Sequence, residues 1–300
     1  MPRAYEIWDV FTDRPLSGNP LAVVFDAAGL ETAQMQAIAA EFNLSETSFV
    51  FPPEDPAHKA RVRIFTPAYE MPFAGHPTVG TALALAARTL CLDRFTLALN
   101  AGLFPIRVEA DDGAKRAIFT SPKLPAETGP PPSVEALARA LTLNPADLWQ
   151  ADHAPRRCGA GGVDFFYVRA NGDTVRRAQL DSAGWNALAL DGAIGIYLYT
   201  DQCEDAARHW HARMFAPSAG VAEDPATGSA ATSLTAHVVM SAIAAGSALR
   251  DGEHHWIVEQ GFEMNRPSLI HTSASLTNGA INKVEIGGQA VKVASGMLNV

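Results

Sequence analysis

An Arg-x-Phe-x-Pro unit occurs twice, as Arg63-Ile64-Phe65-Thr66-Pro67 and as Arg213-Met214-Phe215-Ala216-Pro217, and 213 − 63 = 150 is half of the 300-residue chain. Each unit runs into a turn rich in small residues and proline. The first reads Met71-Pro72-Phe73-Ala74-Gly75-His76-Pro77-Thr78-Val79-Gly80, the second Glu223-Asp224-Pro225-Ala226-Thr227-Gly228-Ser229. An apolar run follows each, over 81–90 and 230–245. An internal duplication of this kind requires both halves to build the same supersecondary unit.

The unit reads as strand, turn, helix. Proline ends the strand because it has no N–H to give the ladder, and it forces its predecessor into extended geometry. Gly75, Gly80, Gly228 and Ser229 let backbone approach another group closely. A helix that starts on such a turn exposes unpaired N–H groups at the positive end of its dipole, which suits an anion. If a pseudo-twofold axis relates the halves, both helix starts can face one cleft, and each turn brings a polar side chain, His76 or Asp224.

Charge and composition remove several function classes. Lys and Arg number 23 against 32 Asp and Glu, for a net charge of −9, which disfavours a nucleic-acid surface. Cys91, Cys158 and Cys203 are odd in number and widely spaced, so neither a disulfide framework nor a cysteine metal site is expected. The N-terminal residues lack the apolar core of a signal peptide, and the run 230–245 is too short to span a bilayer. A cytoplasmic protein without membrane or nucleic-acid partners is the expectation.

Strands are expected at 5–11, 21–25, 44–51, 60–65, 95–100, 104–110 and 116–120, and a helix from Thr32 with Met35, Ile38, Ala39 and Phe42 on its buried face. Asn43 closes that helix, and Asp112-Gly113 makes a turn. The segment 122–132 carries five prolines and is expected to link a lobe of 1–121 to one of 133–300, whose final strands are able to pack back on the first lobe. The second half begins with a helix capped by Ser133. Strands are expected at 165–169, 194–200, 211–215, 256–260, 270–276, 281–286 and 291–294, with Asn278-Gly279 and Gly287-Gly288 as hairpin turns. Gly159-Ala160-Gly161-Gly162 reads as a flexible loop. Many strands and one apolar helix per half make an α+β chain in which a curved, mostly antiparallel sheet wraps a central helix. Regular β-α-β alternation and dinucleotide or phosphate-loop glycine motifs are absent.

Gly18-Asn19-Pro20, Asn43-Leu44-Ser45-Glu46-Thr47-Ser48-Phe49, Ala74-Gly75-His76-Pro77-Thr78 and Asp224-Pro225-Ala226-Thr227-Gly228-Ser229-Ala230, in that order, resemble the PhzF-like family named for phenazine biosynthesis, over essentially the whole chain. The resemblance implies a diaminopimelate-epimerase-like fold of two pseudo-symmetric lobes with the active site between them, a homodimer, and proton transfer without a cofactor. Related epimerases and proline racemases use a cysteine at each helix start. Here those turns carry no thiol, which argues against a two-thiol racemase.

Glu46 then becomes the candidate acid/base. A group that takes and returns a proton works best with a pKa near neutrality, and Leu44, Phe49 and Phe51 nearby would desolvate it. On the residues alone, Ser45-Glu46-Thr47-Ser48 reads first as a polar turn; it is the resemblance that places the acid/base here. It also makes His76 a site residue, while Asp224 reads as a helix N-cap, a substrate partner, or both. Gly75, Gly228 and Ser229 are expected to donate to a carboxylate or enolate oxygen, with Asn19 and Ser45 lining the pocket. His209-x-His211 has the spacing of a metal pair but no third ligand nearby, so no metal is expected. The reaction expected is isomerisation by proton movement within a small carboxylate-bearing cyclic substrate of the dihydro-hydroxyanthranilate kind. Epimerisation of an amino-acid-like substrate and non-catalytic binding of a small anion are the alternatives.

Overall fold

β-Branched and aromatic runs in the first half form strands β1 (Arg3–Val10), β2 (Asn19–Val24), β3 (Glu46–Phe51), β4 (Ala60–Phe65), the two-residue β5 (Glu70–Met71), β6 (Arg94–Leu99), β7 (Gly102–Asp111) and β8 (Ala114–Thr120), with helices α1 (Thr32–Phe42) and α2 (Gly75–Arg88) between them. These elements come from a computed structural model that describes residues 2–89, 93–111 and 113–300. Leu90, Cys91 and Asp112 lie outside the described residues. The chain divides into two compact units, one of Met1–Pro122, Asn265–Leu269 and Glu285–Val300, the other of Lys123–Met264 and Ile270–Val284.

The first unit closes a barrel. β1 runs antiparallel to β2, β2 parallel to β3, β3 antiparallel to β4 and β4 parallel to β6, while β6, β7 and β8 form an antiparallel meander. The segment 285–298 pairs with both β8 and β1, so these eight strands leave no open edge. Helix α2 packs on β1, β2, β3, β7 and β8 and is buried without interruption from Gly75 to Ala86. Its small residues make that possible: a Cβ on Gly80 would come within 2.6 Å of the Leu21 and Val10 side chains. Helix α1 instead buries one face, Met35, Ile38 and Ala39, against Val24, Phe49 and Phe65. Asn43 ends it in the left-handed conformation at φ 50°, which asparagine tolerates better than most residues.

The second unit repeats this order. It contains β9 (Ala126–Gly129), α3 (Val134–Ala140), β10 (Arg156–Ala160), β11 (Val163–Arg169), α4 (Gly172–Arg177), α5 (Ser182–Asn186), β12 (Gly195–Thr200), β13 (Trp210–Ala216), β14 (Val221–Asp224), α6 (Gly228–Ala244), β15 (Gly252–Gln260), β16 (Ser268–Thr277) and the first residues of β17 (Ala280–Leu298). β10 pairs antiparallel with β11, β11 parallel with β12, β12 antiparallel with β13, and β13 parallel with β15. That is the sequence of senses seen from β1 to β6. β14 returns along β13 as β5 does along β4, and α6, buried without interruption from Ala230 to Val239, packs on β9, β10 and β11.

Two local expectations are corrected. Gly287-Gly288 is not a turn; both lie inside the continuous strand β17. A Cβ at Gly287 would sit 2.7 Å from Ile118 Cγ1 and one at Gly288 2.3 Å from Phe11 Cδ1, so the glycines admit neighbouring side chains. Gly159-Ala160 belongs to β10, paired with β11 through Ala160 and Val163 across a tight turn at Gly161 and Gly162 (φ 65° and 87°). Within the proline-rich segment, Ala126–Gly129 forms a strand against β10. Asn278-Gly279, by contrast, is a hairpin turn with φ of 53° and 71°, as type I′ geometry requires.

Candidate active site

Three elements of the first unit bring candidate residues together. β2 and β3 run in parallel with Leu21 opposite Glu46, which sets the start of β2, Asn19 and Pro20, beside the start of β3. Helix α2 begins at Gly75, and its second residue, His76, points Nδ1 to within 3.3 Å of Glu46 Oε2. The pair is sheltered, with side-chain exposures of 4% for His76 and 15% for Glu46. Burial pushes the imidazole down to about 3, against a smaller opposing effect of a backbone hydrogen bond with Pro20. His76 is therefore neutral at physiological pH, so the imidazole itself brings no positive charge to the carboxylate beside it.

Asn19 is fully buried at the start of β2, Gly75 is buried at the helix start, and Ser45, just before β3, is half-buried. The turn before α2 is held by Phe73, which stacks on Phe104 at 4.7 Å, and by the Ala74 carbonyl, which accepts from the Thr78 hydroxyl at 2.8 Å. No side chain caps α2, so its first N–H groups keep the polarity that attracts an anion.

Asp224, Gly228 and Ser229 belong to the second unit. Asp224 ends β14, and Gly228 and Ser229 open α6, which also starts without a side-chain cap. The N-cap position falls to Thr227, not to Asp224; instead Asp224 Oδ2 accepts the Thr227 hydroxyl at 2.5 Å. A buried glutamine fixes this turn. Gln260 donates to the Asp224 carbonyl at 2.7 Å, and its Oε1 accepts from the Thr227 N–H at 3.1 Å and from the Tyr197 hydroxyl at 3.0 Å. Neither Gln260 nor Tyr197 emerges from the sequence, since both look like ordinary strand residues and act on a turn more than 25 positions away.

His209 and His211 separate. His209 is exposed and accepts from the Ile257 N–H, whereas His211 is buried between Glu259 and Glu263. Among the described residues no group of three or more His, Cys, Asp or Glu could hold a metal ion. Cys158 and Cys203 lie on β10 and after β12, and burial raises both thiols to about 12, so neither is a ready thiolate.

Known proteins share this sequence and architecture. The family model described as phenazine biosynthesis-like protein matches residues 8–296. The chain belongs to that family. This PhzF-family chain is 37% identical to the trans-2,3-dihydro-3-hydroxyanthranilate isomerase of Pseudomonas aeruginosa, over 97% of its own length and 98% of the relative's. A solved Bacillus anthracis phenazine biosynthesis protein of the PhzF family matches all of both chains at TM-score 0.89 and 28% identity. A hydroxyproline epimerase from Agrobacterium vitis, at TM-score 0.60 and 12% identity over 99% of this chain and 91% of its own, shares the fold alone. The PhzF-family chain is thus an isomerase with an epimerase-like α+β fold. Among its described residues no helix is long and apolar enough to cross a membrane.

Proposed function

We propose that this isomerase moves a proton within a small, carboxylate-bearing, cyclic unsaturated substrate, of the trans-2,3-dihydro-3-hydroxyanthranilate kind, with Glu46 as acid/base and without a cofactor. The observation that carries the reading is the sheltered Glu46–His76 pair with its imidazole held neutral. A carboxylate can take a proton from one ring carbon and, as the acid so formed, return it to another. An imidazolium at 3.3 Å would oppose the first step by stabilising the ionised carboxylate; the neutral ring exerts no such effect. The start of α2, with Gly75, supplies N–H dipoles suited to negative charge that develops on the substrate. Asn19 and Ser45 are proposed as pocket residues, and Asp224, Gly228 and Ser229 as substrate contacts, on the strength of the family resemblance.

The test is turnover of trans-2,3-dihydro-3-hydroxyanthranilate in deuterated water by the wild type and Glu46→Gln, read as absorbance change and ring deuteration. Loss of acid/base catalysis lowers the rate by roughly 10²–10⁴-fold. A Glu46→Gln protein with undiminished turnover would remove Glu46 from the chemistry.

A further inference from the structure

We propose that Tyr69 is a specificity-determining residue of this site, an aromatic face beside Glu46 that stacks on a planar, unsaturated substrate ring. The inference rests on the reading of Glu46 as the acid/base.

Tyr69 is unusual in keeping a large aromatic side chain 41% exposed on a backbone that is tightly held. The Thr66 hydroxyl oxygen accepts from the N–H groups of Ala68 at 3.1 Å and Tyr69 at 3.0 Å, and the Thr66 N–H donates to the Tyr69 carbonyl at 2.8 Å. Gln36 on α1 donates to the Thr66 carbonyl at 2.8 Å. The next residue, Glu70, takes both arms of the Arg63 guanidinium at 2.7 and 2.6 Å. A rigid backbone presenting an aromatic side chain of few torsions loses little entropy on contact with a ligand.

The strand register sets this turn beside the acid/base. Thr47 pairs with Phe65 across the antiparallel β3 and β4, so the residues one step further, Glu46 and Thr66, come alongside each other. The electrostatics agree: partial desolvation and the Glu46 charge both raise the Tyr69 phenol above its ordinary value.

The internal repeat supplies a control within the molecule. Glu70 lies opposite Phe65 and Glu223 opposite Phe215, so the strand pairing matches Tyr69 with Ala222, the residue that precedes Glu223 on β14. The second copy keeps the bidentate pair, here Arg213 with Glu223, and the uncapped helix start, yet uses alanine. The supersecondary unit therefore does not need a ring at this position, and its presence in the copy that holds Glu46 calls for another reason. A conjugated ring offers a flat π-face that pairs with an aromatic side chain; a saturated, puckered ring does not.

The experiment is calorimetric binding of two probes, planar 3-hydroxyanthranilate and saturated 2-aminocyclohexanecarboxylate, to the wild type, Tyr69→Ala, Tyr69→Phe and Glu46→Gln. The wild type is expected to favour the planar probe, Tyr69→Ala to weaken that probe about tenfold while leaving the saturated one unchanged, and Tyr69→Phe to behave as wild type. Tyr69→Leu, apolar but not planar, makes the same comparison should the alanine variant not fold. No preference in the wild type, a preference that survives in Tyr69→Ala or Tyr69→Leu, or its loss in Tyr69→Phe each overturns the proposal, as does failure of the wild type to bind the planar probe. Glu46→Gln separates the two readings: persistent turnover in it defeats the acid/base assignment, while its binding preference still reports on Tyr69.

Discussion

Two buried histidines show how surroundings set the charge of one residue type. His76 is desolvated beside a single carboxylate and falls to about 3. For His211 burial acts in the same direction, but Glu259 at 3.0 Å on Nδ1 and Glu263 at 2.9 Å on Nε2 outweigh it and lift the ring to about 9. An unfolded histidine titrates near 6.5. Between about 3 and 6.5 the unfolded chain therefore holds a proton that His76 in the native chain does not, and stability from this residue rises with pH. Between about 6.5 and 9 native His211 holds a proton that the unfolded chain has released, and its stabilisation, complete below 6.5, is lost as pH rises. Melting temperature should accordingly decline from near neutrality toward pH 9, and His211→Gln should flatten that alkaline limb while lowering the whole curve. The His76 ring resonances should keep their neutral shifts from pH 8 down to 5; a midpoint between 6 and 7 would refute the assignment.

At the scale of elements, glycine carries two messages that sequence does not separate. Asn278-Gly279 and Gly287-Gly288 look alike as dipeptides, but the first turns the chain and the second lies in mid-strand where Phe11 fills the space above Gly288. Phe11 is fully buried and has no room to retreat, so Gly288→Ala should cost about 1–3 kcal/mol by overpacking, measured by urea unfolding. A neutral outcome would show that the Phe11 ring can rotate away. The same ambiguity explains what could be read beforehand. Helices α1 and α2 and strands such as β4 declare themselves through periodicity and prolines within a few residues. β9 and β14 are short and owe their pairing to partners elsewhere, and α4 and α5 are single turns with little pattern. Glu46 and His76 stand in recognisable segments, but their meeting depends on the β2–β3 register and on where α2 starts. Tyr69 and Gln260 gain their surroundings only through strand pairing, which no local pattern encodes.

On the scale of the whole molecule, duplication preserves a device while changing its energetics. In each unit an arginine of the repeated motif grips a glutamate of the following short strand and lies over the motif's own phenylalanine, Arg63 over Phe65 and Arg213 over Phe215. Arg63 has a side-chain exposure of 23% and also donates to the Thr32 hydroxyl. Arg213, at 8%, also donates through Nη1 to the carbonyls of Val175, Arg176 and Ala178 at 3.0, 3.2 and 2.8 Å. Those carbonyls end α4, where a cation satisfies orphan acceptors and meets the negative end of the dipole. Truncating Arg213 would strand a sheltered carboxylate and three acceptors together. Arg213→Ala should therefore destabilise by about 3–5 kcal/mol, the range for breaking a buried pair, whereas Arg63→Ala should lose about 1 kcal/mol, as a partly solvated pair does. Equal losses in parallel urea titrations would mean that the α4 carbonyls find other partners and that the two copies remain energetic as well as structural equivalents.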